Sequence, residues 1–172
     1  MVNELIRHGL RFIGLILVQG LILKNMEIGH LINPILYVLF IIQLPFELPA
    51  WIGLMLAFVL GFFVDLFYGT MGMHMAACTL MGWARPSILR FMVPRDGYEF
   101  GQQPTIQDMG KMWFLSYAAI LIVLHHFFLF TLEIFSFREI LLTIVRVIFS
   151  SAATLLLVVV TQFLFYRTRE ST

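Results

Sequence analysis

Few side chains in this sequence could do chemistry, and nearly all of them stand inside apolar runs. Asp65 is the only acid in residues 51–68, WIGLMLAFVLGFFVDLFY. A carboxylate in hydrocarbon costs roughly 2.5–3.5 kcal/mol on insertion scales, so such a group is normally turned inward, paired or protonated. Two readings stand for it: a site for an ion, a proton, a ligand or a partner, or an acid at a helix end hydrogen-bonded to the neighbouring turn. Met71, Met73, His74, Met75 and Cys78 are soft donors at a density that suggests copper. The three methionines alternate by two, however, and cannot share a helical face; only His74 and Cys78, four apart, do. Thioether side chains also fill apolar gaps, so no metal site and no cofactor is assigned.

His125 and His126 are adjacent, and neighbours on a helix point about 100° apart, so the two rings serve different sites. His126 and Glu133 are seven apart on one face and could form a pair or a proton path. Glu139, Thr143, Arg146, Ser150 and Thr154 follow in steps of three and four, one continuous polar stripe. That stripe suits a helix facing its own bundle, with Glu139 or Glu133 neutralising Arg146, and equally a cavity wall or a docking face. A carrier of ions or protons would use Asp65, His126 and Arg146. No phosphate-binding loop, paired metal carboxylates or nucleophile with a base is present, so the sequence reads as non-enzymatic.

These residues must be positioned by helices in a membrane. Hydrophobic residues are 60% of the chain, charged residues 12%, and the mean hydropathy is +0.93. Soluble domains are about 45–50% apolar and about 25% charged, so a soluble fold would lack polar surface. The apolar runs are continuous and not alternating, which argues against a barrel. At about 20 residues per span, 172 residues hold about six helices in one domain, residues 1–172. The lone Cys78 excludes an internal disulfide.

The runs fall at residues 12–23, read as an uncleaved first span, 33–45, 51–68, 71–92, 112–132 and 138–166. Asn33-Pro34 reads as a cap and first turn for the second helix, and Thr105 with Asp108 as a capping box for the fifth. Residues 93–109 are the only long polar stretch. With the N-terminus inside and six spans, eight of the eleven Lys and Arg residues fall on the cytoplasmic side, the positive-inside pattern, and both termini are expected there. In the third helix Gly53, Ala57, Gly61, Asp65 and Gly69 recur every four residues. Small residues at that spacing let two helix backbones approach closely, within the chain or against a partner.

The segment GFFVDLFYGTMGMHMAA, residues 61–77, resembles the rod shape-determining protein MreD family: a glycine, an acid four residues on, a short loop, then Gly72-Met73-His74. The proline-rich second hairpin, the span count and the length agree, and the specific motif content lies in residues 45–86. The resemblance implies a non-catalytic subunit of the cell-wall elongation machinery, or elongasome, in the bacterial inner membrane. Its partner would be MreC, a single-span protein with a periplasmic coiled coil. MreB and the elongation glycosyltransferase and transpeptidase would be linked less directly, membrane lipid would surround it, and no nucleic acid is involved. It also implies a compact six-helix bundle similar to the S components of energy-coupling factor transporters. From that similarity comes the rival expectation, a small-ligand-binding subunit of an uptake transporter. On this reading Gly53, Ala57, Gly61, Asp65, Gly69 and Gly72 form a packing or partner interface, with His126, Glu133 and Arg146 as intramembrane polar groups.

Overall fold

The structure is a computed structural model that describes residues 2–26, 31–134 and 140–165. The described residues are all-helical. Helix α1, Val2–Leu17, runs without a break into a π turn at Val18–Ile22 and a 3-10 turn at Leu23–Asn25. After it come α2 (Val38–Ile42), α3 (Ala50–Tyr68), α4 (Met73–Phe91), α5 (Ile106–Met109), α6 (Lys111–Ile134) and α7 (Ile140–Phe165). Three of these, α3, α6 and α7, are long and apolar enough to cross a membrane.

The faces sort by side-chain size. On α3 the residues Trp51, Met55, Phe58, Phe62 and Leu66 point outward and are 42–68% exposed. The opposite face, Gly53, Ala57, Gly61 and Asp65, is buried against α4. An apolar exterior of this kind suits a hydrocarbon solvent, in which helices associate through close packing and polar contacts.

The second apolar segment departs from the sequence expectation. Asn33-Pro34 does not start a helix; only Val38–Ile42 is helical, and its N-cap is Tyr37. Backbone N–H groups of this stretch go to side chains of other elements. Asn33 donates to Ser150 Oγ (2.9 Å), Ile35 to Thr154 Oγ1 (2.9 Å) and Leu36 to Gln19 Oε1 (2.7 Å). Ile35 and Tyr37 are fully buried and Leu36 nearly so. Irregular backbone is tolerated in such an environment only when the protein itself satisfies it. Ser150 and Thr154 of the polar stripe do so from α7. Gln19 does so from the π turn, where its amide also donates to Pro34 O (3.3 Å) and Tyr68 Oη (2.7 Å). Thr154→Val keeps the shape but orphans Ile35 N–H and a ring nitrogen of His126, a cost of about 2 kcal/mol. Thermal unfolding in detergent should therefore show a clear drop for Thr154→Val and little change for Thr154→Ser.

Two other boundaries shift. Thr105 does cap a helix, its hydroxyl accepting from Asp108 N (3.2 Å), but that helix is the short α5. Gly110, at φ +81°, breaks it from α6. The last helix begins at Ile140 in the described residues, and Glu139 lies outside them.

Candidate functional site

The α3–α4 hairpin begins with close contact. A Cβ at Gly61 would lie 2.4 Å from Met75 Cα and 2.7 Å from His74 O, so no other residue fits without moving a backbone. A Cβ at Gly82, on the facing helix, would lie 2.7 Å from the Cβ of Ala57. The stripe of small residues therefore meets this chain's own α4. Gly53 has more room: its Cβ would meet Leu44 and Leu48 at 3.8 Å, ordinary contact. Gly69 ends α3 at φ +69°, and its N–H returns to Asp65 O at 2.8 Å.

Gly72 stands at the N-cap of α4 with φ +85°, a conformation that favours glycine and leaves the helix without a capping side chain of its own. Asp65 supplies the cap from α3. Its Oδ1 accepts from His74 N (3.1 Å) and from the Thr70 hydroxyl, and its Oδ2 accepts from Met75 N (2.9 Å). The carboxylate sits at the positive end of α4, where helix dipole and free N–H groups both favour a negative charge. The geometry thus follows the helix-end reading of this acid.

Asp65 holds the backbone of His74 while the ring of His74 enters the bundle. There Tyr37 Oη lies 2.8 Å from His74 Nδ1 and 3.0 Å from His125 Nε2, with Cys78 Sγ 3.9 Å from the same nitrogen. Tyr37 and His125 are fully buried and His74 is 4% exposed. A phenol has one proton, so Tyr37 donates to one ring and accepts from the other. The three groups form an ordered chain linking the second segment, α4 and α6. His125 Nδ1 ends that chain without a hydrogen-bond partner among the described residues. Among the described residues no three His, Cys, Asp or Glu side chains are arranged to hold a metal ion.

His126 points elsewhere, as the angular argument requires. Its Nδ1 lies 2.8 Å from Ile122 O, which can only accept, so Nδ1 carries the proton. Nε2 then accepts from Thr154 Oγ1 at 3.2 Å, and the same hydroxyl receives Ile35 N–H. His126 is therefore not paired with Glu133. Glu133 meets Arg146 instead, at 3.2 Å, with the guanidinium 4.5 Å from the Phe130 ring centre. The Glu133 side chain is 43% exposed, and exposed pairs are worth less than about 1 kcal/mol. Glu133→Gln should accordingly leave the melting temperature within a few degrees of wild type.

A buried cation was not singled out as a site from the sequence. Arg85 is 5% exposed; its Nε donates to Tyr117 Oη (2.8 Å) and its Nη2 to Leu44 O. In sequence it counts only as one positive charge beside Pro86. Tyr37 and Gln19 gave no signal beyond being polar interruptions of apolar runs. No protein-family model, curated protein or solved structure matches this chain.

Proposed function

We propose that this chain is a non-catalytic membrane subunit of the bacterial rod-shape machinery, of the MreD kind, that binds an MreC-like protein and couples to peptidoglycan synthesis. The observation that carries the reading is the segment of residues 61–77. The residues through which it resembles that family act as one mechanical unit. Gly61 admits the α4 backbone, Asp65 caps α4, Gly72 takes the positive φ, and His74 ties the hairpin to Tyr37. Their spacing answers to a hairpin geometry, which suits a scaffold and needs no substrate. Since the stripe is used internally, contact with a partner falls on an outward face.

Six crossings, with both termini cytoplasmic, remain the topology we propose for the inner membrane. Five come from α1 with its π and 3-10 continuation, α3, α4, α6 and α7. The sixth is residues 31–44. The segment descends along α4, Tyr37 meeting His74 at one level and Leu44 meeting Arg85 at another. Reporter fusions after residues 48, 100 and 172 should report cytoplasm, and those after 25, 69 and 136 periplasm. A periplasmic signal after residue 100 or 172 contradicts this topology.

Depletion tests the function. Rod-shaped cells should round up within a few generations while growth on unsupplemented medium is unaffected. Retained rod shape with lost uptake of one vitamin would replace this reading with the transporter-subunit one.

A further inference from the structure

Beside Gly53 and Gly82 the structure has a partly open cavity of about 540 Å³. Its walls are apolar: Phe46 and Leu48 from the turn before α3, and Leu89 and Val93 from the end of α4. Tyr98 closes one flank, stacked on Phe46 with ring centres 4.2 Å apart, its hydroxyl donating to Leu89 O (2.8 Å). Burial pushes the Tyr98 hydroxyl up to about 12, so it stays protonated in that bond.

Two arginines line the same cavity. Arg85 is buried, and Arg90 is exposed, its guanidinium bonded to Ser87 Oγ (3.3 Å). A guanidinium has five N–H groups. Arg85 spends one on Tyr117 and one on Leu44 O, both uncharged, and no carboxylate among the described residues pairs with it. Glu47, in the adjoining turn, is exposed and accepts from Gly101 N (2.8 Å) instead. A cation withdrawn from water without a counter-charge is costly, and that cost is offset when an anion completes it.

We infer that this cavity binds the phosphate group of an anionic lipid, with Arg85 and Arg90 on the headgroup and the Phe46, Leu48, Leu89 and Val93 walls on the apolar part. Two planar forks match phosphate oxygens better than a single point charge would. The size is within the roughly 300–1,000 Å³ of small-molecule sites. A basic pocket between helices at a membrane face is a setting in which lipid headgroups are held. In the proposed topology the site opens to the cytoplasmic leaflet, but the binding chemistry does not depend on that assignment.

Thermal unfolding and native mass spectrometry of the purified protein in non-ionic detergent test this, with phosphatidylglycerol, phosphatidylcholine or inorganic phosphate added. Phosphatidylglycerol should raise the melting temperature and stay bound, while the zwitterionic lipid and inorganic phosphate do neither. Arg90→Gln, which breaks only a surface contact, should weaken retention at least several-fold. Arg85→Gln also loosens the hold on Leu44, so Gly53→Leu is the second probe: it fills the cavity from a position with room for a Cβ. Measured against its own lipid-free melting temperature, that variant should show no lipid-induced rise. Equal retention of the two lipids, or undiminished retention in Arg90→Gln and Gly53→Leu together, overturns the site. Stabilisation by inorganic phosphate as large as that by phosphatidylglycerol overturns the lipid assignment and assigns the cavity to a free phosphate compound.

Discussion

Leucine at Gly61 should remove most of the protein from the membrane. Even the first carbon of that side chain would stand 2.4 Å from Met75 Cα, and the atoms it meets are backbone, which cannot rotate away. Overpacking costs typically 1–3 kcal/mol when side chains can adjust, and here two helices must part. Separation also lifts Asp65 from the N–H groups of His74 and Met75, so the loss of the cap is added to the loss of packing. Gly61→Ala should show an intermediate decrease. Gly53→Ala, whose Cβ would meet Leu44 and Leu48 in ordinary contact at 3.8 Å, should be close to wild type. Quantitative immunoblots of membranes and melting temperatures in detergent read both effects. Normal accumulation of Gly61→Leu would mean that the two helices are not in backbone contact.

Asp65→Asn should be nearly as damaging, although it conserves size. Both carboxylate oxygens accept: Oδ1 from His74 N and the Thr70 hydroxyl, Oδ2 from Met75 N. An amide offers one acceptor and one donor, so whichever way it is placed its NH₂ confronts a backbone N–H. Hydrogen bonds to a charged group are worth about 1.5–3 kcal/mol each, which makes a loss of about 3 kcal/mol reasonable before relaxation. Asp65→Glu keeps the charge but extends the group into a space fitted to the shorter acid, and should recover part of the loss. The contrast matters for function. If Asp65 served mainly as a partner contact, Asp65→Asn would accumulate and unfold normally and fail only in assembly.

What was legible in the sequence follows the physics of each signal. Apolar runs long enough to span are visible because lipid imposes a length and a composition, so α3, α6 and α7 appear at their observed places. The small stripe was visible because a four-residue repeat needs no tertiary knowledge. What it faces was not, since Gly82 is a single glycine without a pattern. The 31–44 segment departs from expectation because Asn33-Pro34 is a local signal, whereas the groups that hold this backbone are remote in sequence. Ser150, Thr154 and Gln19 hold it, from 117, 119 and 17 residues away. Likewise the seven-residue spacing of His126 and Glu133 puts them on one face but does not make them partners. Thr154 and Arg146, both from α7, take them separately. In the sequence Arg85 is one positive charge beside Pro86, and only the cavity beside it gives its burial a consequence.

The proposed role of this hairpin-built bundle is that of an assembly subunit. The most direct measurement is purification of the tagged protein from native membranes in mild detergent, with its stable partners identified by mass. Stoichiometric recovery of a single-span protein with a periplasmic coiled coil is expected, retained by Glu133→Gln and lost in step with membrane abundance for Gly61→Leu. Recovery of an ATP-driven transporter core in its place would contradict it.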